Sequence, residues 1–485
     1  MHPQDLNLRV QLRDDQGTSA ALAERAFARA TDAVAIGGNK VRILRDAAEN
    51  YPAWLTAIRA AQRSIFLECY IISDDRIGNE FVDALCERAR EGVRVWVIYD
   101  WLGSFSAGAL WKRLREAGAQ VRGFNPPRFE EPFGWITRDH RKMLAVDGHL
   151  GFVTGLCIAD QWLGNPARKI EPWRDTGIEI RGPAVLELEA SFGQAWNAAG
   201  PALEMSAFTP GPISIAGDVA LRVVAGTPTS AGLYRLDHLI SAMARERLWL
   251  TDAYFVGVTP YVRALCAAAY DNVDVRLMVP GASDLPIVNR MSRAGYRPLL
   301  EAGVRVFEWN GSMLHAKTAV ADGRWARVGS TNLNIASWIG NYELDVAIED
   351  EGIAQEMERM FEADLSNATE IVLGRRNRVT ATTSSHGKRA LSGSAGRAAA
   401  GALTMGSAFG AALSHKRVLE PAEAATLAAV ALLVCLIAFV ALAWPRALAV
   451  PIFLFCAWIG LAMLWRAFRL YRKGKSGAGQ GASPE

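Results

Sequence analysis

Apolar and polar residues between positions 40 and 350 follow two patterns that alternate along the chain. Short runs rich in β-branched and aromatic residues, such as RSIFLECYII from Arg63 and VRVWVIYD from Val93, are typical of strands. Between these two runs, apolar residues recur every three or four positions in NEFVDALCERAREG, which predicts an amphipathic helix. Strands that alternate with helices in this way predict an α/β fold in which helices pack on a mixed sheet.

The same order of elements occurs twice. In the first half a helix, LWKRLREAG, and a strand, AQVRGFN, follow these elements and lead to His140. In the second half RLWLTDAYF, YVRALCAAAYDN, VDVRLMVP, YRPLLEAG and VRVFEWN lead in the same order to His315. Because a repeat of about 175 residues is far too long for a solenoid, we expect two duplicated α/β domains, at 37–202 and 203–372, whose like faces meet across a pseudo-twofold axis.

The C-terminal part has a different pattern. Ala424–Trp444 and Ala447–Trp465 are uncharged and mostly apolar, and each is long enough, at ~1.5 Å per residue, to cross ~30 Å of hydrocarbon. We therefore expect a transmembrane helical hairpin at 421–470, with a pair of buried core helices as the alternative. Basic residues precede and follow the pair, so the positive-inside bias places both ends, and the large N-terminal part, on the cytoplasmic side.

The remaining segments are polar. Residues 1–36 form a lead-in with one predicted helix, SAALAERAFARATDA, and 471–485 form a basic, polar tail. The basic, Gly- and Ala-rich linker at 373–420 is compatible with a flexible tether or with a weak helix on the bilayer surface.

Composition excludes some classes of function. The net charge is only +3, from 53 basic and 50 acidic residues. The chain therefore lacks the large excess of positive charge that is typical of proteins that bind nucleic acid. Six scattered cysteines without a C-x-x-C pair indicate neither a zinc site nor a disulfide framework. We therefore expect no metal and a reducing compartment.

One polar pattern, His-x-Lys-x-x-x-x-Asp, occurs at the corresponding point of each repeat. Its residues are His140, Lys142 and Asp147 in the first half, and His315, Lys317 and Asp322 in the second. On a strand, His and Lys two positions apart lie on the same face, where the ammonium can hold phosphate oxygens while the imidazole attacks phosphorus or carries a proton. The turn GSTN adds Ser330 and Asn332 as candidate phosphate-binding residues. Two copies of the pattern at matching points of a repeat indicate a catalytic site and not a chance match. Because the two lysines can supply the positive charge, we expect this site to need no cofactor.

These segments resemble a known family. HRKMLAVDG and HAKTAVADGRWARVGSTN are similar to the paired HKD motifs of the phospholipase D superfamily, and GNKVRILRDA, WRDTGIEIRGPAV and GSTNLNIASWIGNYELD are similar more narrowly to bacterial cardiolipin synthases. The resemblance runs from about residue 38 to 370. It implies two phospholipase D-like α/β sandwich domains that share one site, to which each contributes its His, Lys and Asp.

The resemblance also implies the roles of the residues. His140 takes the phosphatidyl group as a phosphohistidine and His315 acts as acid and base, while Glu343 and Asp175 orient the histidines. It further implies a phosphatidyltransferase, which joins two molecules of phosphatidylglycerol to cardiolipin and glycerol. The expected hairpin, which lies outside the resemblance, would anchor this enzyme in the bacterial inner membrane.

Other functions stay open at this point. The same motifs occur in phospholipase D hydrolases and in transferases that use another alcohol, such as ethanolamine. A nucleic-acid phosphodiesterase and a non-catalytic membrane scaffold are further alternatives, against which the charge and the paired motifs argue.

Two features are particular to this chain. Cys157 stands where many members of the family have Asn after the first motif, and we expect it to be a core residue and not a nucleophile. The first repeat also carries ten extra residues in the loop Pro126–Asp139, where Phe129, Phe133 and Trp135 make the loop apolar. The loop fits equally a lid packed on its own domain and a lipid-contacting segment.

Overall fold

The computed structural model describes residues 23–128, 136–374, 379–381 and 442–477, together with the single positions 432 and 439. The chain divides into two compact units. The larger comprises residues 1–124 and 138–419, and the smaller comprises 125–137 and 420–485.

Strands form the framework of the larger unit. Those of the first half are β1 (Ile36–Arg45), β2 (Ser64–Cys69), β3 (Arg94–Asp100), β4 (Gln120–Phe124), β5 (Lys142–Val146), β6 (Leu150–Thr154) and β7 (Thr176–Arg181). Those of the second half are β8 (Val219–Gly226), β9 (Arg247–Thr251), β10 (Asp274–Pro280), β11 (Arg305–Trp309), β12 (Thr318–Ala321), β13 (Trp325–Gly329), β14 (Glu343–Glu349), β15 (Ala368–Leu373) and β16 (Val379–Ala381).

Helices alternate with these strands. The first half contains α1 (23–31), α2 (Asp46–Ala60), α3 (Arg76–Arg90), α4 (Gly108–Glu116) and α5 (Val185–Ala199). The second half contains α6 (Gly232–Met243), α7 (Thr259–Tyr270), α8 (Pro286–Ala294), α9 (Tyr296–Glu301), α10 (Ile335–Ile339) and α11 (Glu351–Leu365). The smaller unit contains α12 (Pro445–Gly477).

Local sequence accounts for the ends of several helices. Asp75 precedes α3 and its carboxylate accepts a hydrogen bond from the main-chain nitrogen of Gly78, at 2.9 Å. Asp350 caps α11 in the same way, through the nitrogen of Ile353 at 2.8 Å. Each cap satisfies one of the main-chain N–H groups that the first turn of a helix leaves unpaired.

The predicted repeat is visible in the order of elements. The series β1-α2-β2-α3-β3-α4-β4 corresponds to β8-α6-β9-α7-β10-α9-β11, and β5-β6-β7-α5 corresponds to β12-β13-β14-α11. The prediction of an α/β fold with a mixed sheet is confirmed, because β2, β3 and β4 are parallel, as are β9, β10 and β11, whereas the other neighbours are antiparallel.

The two halves share a single sheet of 16 strands. Its order is β4-β3-β2-β5-β6-β7-β1-β8-β14-β13-β12-β9-β10-β11-β15-β16, so the first seven strands are mirrored by the next seven across the antiparallel pair β1–β8. This arrangement fits a pseudo-twofold relation between the halves, while the domain boundaries at 37–202 and 203–372 stay a prediction.

The core has an outer part in each half and a shared part between them. The shared cluster combines Phe192 and Trp196 of α5 with Met357 and Phe361 of α11. Burial of these large apolar side chains is the main favourable contribution to holding the halves together.

The C-terminal expectations meet the structure only in part. Within the described segments, no helix is both long enough and apolar enough to cross a membrane. The transmembrane hairpin expected at 421–470 is therefore not found there: its first run lies mostly outside the described residues, and its second falls within α12. The expected linker at 373–420 includes β16, which pairs with β15, and most of its other residues lie outside the described part.

Candidate active site

The main chain places each histidine beside a segment from the other half. The nitrogen of His140 donates to the carbonyl oxygen of Tyr342, at 2.9 Å, just ahead of β14. The nitrogen of His315 donates to the carbonyl oxygen of Arg174, at 2.7 Å, shortly before β7. Since Glu343 follows Tyr342 and Asp175 follows Arg174, this pairing brings an acid of the opposite half to each histidine.

The first histidine and its acid form a direct contact. Nδ1 of His140 lies 2.9 Å from Oε2 of Glu343 and 3.1 Å from Oε1. Glu343 is fully buried, and the hydroxyl of Ser330 donates to its Oε2 at 2.5 Å.

The second histidine forms the matching contact. Nδ1 of His315 lies 2.7 Å from Oδ2 of Asp175. Asp175 is fully buried, and its Oδ1 accepts a hydrogen bond from the main-chain nitrogen of Thr176 at 2.8 Å.

Burial keeps both imidazoles neutral. It lowers the pKa of His140 to about 4, against the opposing effect of Glu343. Burial, assisted by the charge of Lys317, lowers the pKa of His315 to about 3. Although burial alone would raise the pKa of each acid, the neighbouring histidine and lysine hold the pKa of Asp175 and of Glu343 below its usual value.

This charge distribution fixes the tautomer. An ionised carboxylate only accepts hydrogen bonds, so Nδ1 of each histidine carries the proton. Nε2 then carries a lone pair and no proton, which is the form required of a nucleophile or of a general base.

The two lysines lie beside the histidines. Lys142 and Lys317 are buried, and each Nζ donates to the main-chain oxygen of the histidine two positions earlier. Nζ of Lys317 also lies 3.1 Å from Nδ1 and 3.2 Å from Nε2 of His315. Burial lowers the pKa of Lys317 to about 8.

The two halves contribute to one electrostatic site. The charge of Lys317 lowers the pKa of His140, and that of Lys142 lowers the pKa of His315. Such mutual effects require the groups of the two halves to lie close together.

The aspartates of the motif lie elsewhere. Asp147 follows the end of β5, and strand geometry of ~3.3 Å per residue puts it about 16 Å along the chain from Lys142. Its carboxylate accepts from the main-chain nitrogens of Gln62, Arg63 and Ser64 at 2.7–2.9 Å.

Asp322 repeats this arrangement in the second half. It accepts from the nitrogens of Arg245, Glu246 and Arg247 at 2.8–2.9 Å. The structure therefore does not bring Asp147 and Asp322 to the histidines, and it gives no support to the catalytic role that the sequence predicts for them. Their placement fits an architectural role, in which each aspartate ties a turn to the start of a neighbouring strand.

The candidate phosphate-binding residues differ in their surroundings. The Ser330 hydroxyl lies behind His140, on Glu343. Asn332 is buried, and its Oδ1 has no hydrogen-bond partner among the described residues. An amide donates to phosphate oxygens only through its NH2 group, so the phosphate-binding role predicted for Asn332 stays a prediction. Cys157, which follows β6 as Asn332 follows β13, is buried in the core of the first half.

Aromatic residues that the motifs do not include enclose the histidines. The ring of Tyr70 lies edge-on to His140 at 4.9 Å between centroids, and the ring of Trp162 lies edge-on to His315 at 5.3 Å. Trp162 also donates its indole N–H to Oδ2 of Asp175, at 3.1 Å. The sequence gives one indirect sign that another residue must donate to Asp175: Gly155, which has no side-chain donor, stands where the second repeat has Ser330.

Two further expectations concern the extra loop and a metal site. Of the extra loop, Phe129, Phe133 and Trp135 lie outside them, so the choice between a lid and a lipid contact stays open. Among the described residues, no group of three or more His, Cys, Asp and Glu side chains is arranged to hold a metal ion.

This geometry provides the parts for transfer of a phosphoryl-linked group. Two neutral imidazoles present Nε2, a buried carboxylate fixes each ring, and two ammonium groups supply charge for phosphate oxygens. One imidazole can attack phosphorus while the other moves a proton.

Comparison with known proteins agrees with this chemistry. The family model described as "Cardiolipin synthase, PLD-like domain" matches residues 54–166 and again 237–365. Cardiolipin synthase A of Pseudomonas aeruginosa is 36% identical over 357 residues, which cover 71% of this chain and 71% of that protein. The chain belongs to the cardiolipin synthase family of phospholipase D-like proteins.

A second relative in this family comes from another bacterium. The cardiolipin synthase of Alkalihalophilus pseudofirmus is 32% identical over 341 residues, which cover 69% of this chain and 67% of that protein. The two matches of the family model contain one His-x-Lys motif each, in agreement with the internal repeat.

Solved structures share the fold at low sequence identity. The phosphatidylserine synthase of Haemophilus influenzae superposes with a TM-score of 0.55 at 15% identity, over 72% of this chain and 91% of that one. The polyphosphate kinase of Porphyromonas gingivalis gives a TM-score of 0.50 at 15% identity, over 76% and 53% of the two chains. At this identity the likeness concerns the fold alone.

Proposed function

We propose that this protein is a cardiolipin synthase, which transfers the phosphatidyl group of one phosphatidylglycerol to a second and releases glycerol. The observation that carries the proposal is the pair of crossed dyads, His140–Glu343 and His315–Asp175, in a chain whose curated relatives are cardiolipin synthases. A site with two histidines suits a transfer in two steps. One histidine can bind the phosphatidyl group covalently while the other gives a proton to the leaving alcohol and takes one from the incoming alcohol.

In the first step Nε2 of His140 attacks the phosphorus of phosphatidylglycerol. The bond from phosphorus to the glycerol oxygen breaks, and that oxygen takes a proton from His315 as glycerol leaves. In the second step the hydroxyl of another phosphatidylglycerol gives its proton to His315 and attacks the phosphorus. The phosphorus–nitrogen bond breaks, cardiolipin forms, and His140 is again free.

His315 takes its proton from the solvent when the anionic substrate binds. The pKa of His315 is lowered to about 3 in the free protein, but a phosphodiester adds negative charge beside the ring and so raises that pKa. Lys142 and Lys317 then hold the phosphate oxygens and offset the charge that develops on them in the transition state.

Two observations support His140 as the nucleophile. Its side chain is more exposed than that of His315, at 12% against 6%. In addition, Nε2 of His315 faces the ammonium of Lys317 at 3.2 Å, which suits a group that exchanges protons better than one that attacks phosphorus.

We also propose that the segment 421–470, with the basic residues at its end and in the following tail, attaches the protein to the bacterial inner membrane, with the larger unit on the cytoplasmic side. Apolar side chains of α12 such as Phe453, Leu454 and Leu464 are 61–68% exposed, and five basic residues follow between Arg466 and Lys475. Apolar side chains next to basic ones suit contact with an anionic bilayer, in which the lipid substrate resides.

The products formed from phosphatidylglycerol test the function. We expect purified full-length protein with phosphatidylglycerol vesicles to yield cardiolipin and free glycerol in equal amounts, measured by mass spectrometry and a glycerol assay. His140→Ala and His315→Ala should each lower the rate by several powers of ten. Phosphatidic acid as the main product would indicate hydrolysis instead, and no lipid product at all would contradict both.

A further inference from the structure

The acids behind the two histidines are held by different donors. At Glu343, one oxygen, Oε2, accepts from both Nδ1 of His140 and the hydroxyl of Ser330, at 2.9 and 2.5 Å. The serine thus holds the same carboxylate oxygen as the imidazole does.

The first repeat has no serine at this position. Ser330 is the first residue after β13, and Gly155 is the first residue after the corresponding strand β6. A Cβ atom on Gly155 would lie 2.3 Å from Oδ1 of Asp175, which is far inside van der Waals contact. A serine therefore cannot take the place of Gly155 beside Asp175 in this arrangement.

Trp162 provides the missing donor from another element. It ends a short turn, Asp160–Trp162, and its side chain is fully enclosed. Its indole N–H donates at 3.1 Å to Oδ2 of Asp175, the oxygen that also accepts from His315.

The indole is itself held in place. Its ring packs against Trp173 at 4.8 Å and stands edge-on to His315 at an interplanar angle of 89°. A rigid ring buried between two others has little freedom to turn, so the direction of its N–H, and with it the orientation of the carboxylate, is defined.

We propose that Trp162 is a positioning residue for the reaction, which does for Asp175 and His315 what Ser330 does for Glu343 and His140. The indole holds Oδ2 on Nδ1 of His315 and so keeps Nε2 directed at the alcohol. The effect on rate rests on the proposed function, whereas the effect on the histidine does not.

Two replacements of Trp162 test this proposal. Trp162→Phe removes the N–H and keeps an aromatic ring. Site-specific replacement by 3-benzothienylalanine keeps the two-ring shape and puts sulfur where the N–H was, so that folding is preserved. We expect either change to lower kcat at least about 10-fold, because a hydrogen bond to a charged group is lost, with KM changed by less than about two-fold because Trp162 does not touch substrate.

Trp54→Phe is the matched control. Trp54 is equally buried, in α2, and its indole N–H has no partner among the described residues. The same loss of ring volume should lower the thermal stability of this variant and leave kcat of the folded protein unchanged.

The ¹⁵N shifts of the histidine rings report the tautomer and the hydrogen bonding of each ring, and they give a readout besides kcat. The chain has seven histidines, so ¹⁵N-histidine labelling gives few signals, and His315→Gln identifies those of His315. We expect both Trp162 replacements to shift the ring nitrogens of His315 and to leave those of His140 in place, while Ser330→Ala does the reverse.

The outcomes separate the possibilities. Loss of kcat in both Trp162 variants, together with shifted His315 signals, supports the proposal. An unchanged kcat in the benzothienylalanine variant, or unchanged His315 signals, overturns it. If the unsubstituted protein makes no cardiolipin, the proposed function fails, yet the spectra still decide whether Trp162 positions His315.

Discussion

Each histidine of the site packs against a carboxylate from the other half, and this pairing sets both its charge and its direction. Burial favours the neutral ring, whereas Glu343 favours the protonated one, and the balance leaves the pKa of His140 at about 4. The ring is therefore neutral at neutral pH, and Glu343 stabilises the positive charge that appears on it when its nitrogen bonds to phosphorus.

Glu343→Gln should separate these two effects. The change removes the negative charge that raises the pKa of His140, so the acid limb of kcat/KM moves to lower pH. The rate at neutral pH falls by ~10²–10⁴, since both the tautomer and the transition-state charge lose their support. A pH profile of kcat/KM measures both. Glu308→Gln, at a buried glutamate paired with Arg293, should change neither, and an acid limb that moves to higher pH would contradict this account.

At the scale of elements, the two Asp-Gly turns join strands that lie next to each other in the sheet. Asp147 and Asp322 both have φ of 53°, and the following Gly148 and Gly323 have φ of 73° and 62°. Two successive residues with positive φ are typical of tight hairpin turns. Each carboxylate also clamps the start of β2 or β9 through three main-chain N–H groups.

Asp147→Ala should therefore affect stability and not catalysis. Loss of three hydrogen bonds to a carboxylate and strain at a positive φ should lower the free energy of unfolding by about 2–4 kcal/mol. Because His140 lies before the other end of β5, kcat of the folded protein should stay within about two-fold. Urea unfolding and kcat at saturating lipid measure the two quantities. Asp147→Asn, which tolerates positive φ and keeps one acceptor oxygen, should lose less stability.

The opposite result would restore the catalytic role predicted from the motif. A large fall in kcat of Asp147→Ala with unchanged unfolding would show that the aspartate acts in the reaction. Asp322→Ala, in the equivalent turn of the second half, should give the same pattern as Asp147→Ala.

The sequence pattern predicts the elements of the fold but not every position in the site. Alternating strands and helices, and their repetition, were predictable because burial imposes a periodicity on each element. The place of Asp147 was not, because spacing along the chain groups it with His140 and Lys142 although an extended strand carries it away from them. Trp162 could not be predicted either, since its contact with Asp175 depends on the path of a loop.

At the scale of the whole molecule, each repeat needs a residue of the other repeat to complete its histidine–acid pair. Each histidine is paired through its main chain and its side chain with the other half, and neither the motifs nor the resemblance indicated which acid pairs with which histidine. An internal pattern shows that a sequence is repeated, but it does not show which copy provides the partner. Arg174 is part of this crossing, because its carbonyl oxygen accepts from the nitrogen of His315 while its side chain pairs with Asp364 and Asp46.

Asp364→Asn should weaken the contact between the halves. The side chains of Arg174 and Asp364 are almost fully buried, at 3% and 4% exposure, with 2.8 Å between Nη2 of the arginine and Oδ2 of the aspartate. Removing one charge leaves the buried guanidinium short of a partner, so the free energy of unfolding should fall by about 2–4 kcal/mol. Since Arg174 also carries the main-chain acceptor for His315, kcat should fall as well, by roughly 3- to 10-fold on the same scale of lost hydrogen bonding.

The exposed pair of Arg59 and Glu80, 3.3 Å apart, provides the comparison. Glu80→Gln should change the free energy of unfolding by less than about 0.5 kcal/mol, because water screens both groups. Urea unfolding of the two variants side by side, with kcat measured on the same preparations, tests the idea. Equal stability of the two variants would show that the buried arginine adds nothing to the joining of the halves. Lower stability of Asp364→Asn with full kcat would show that the halves are held together without control over the position of His315.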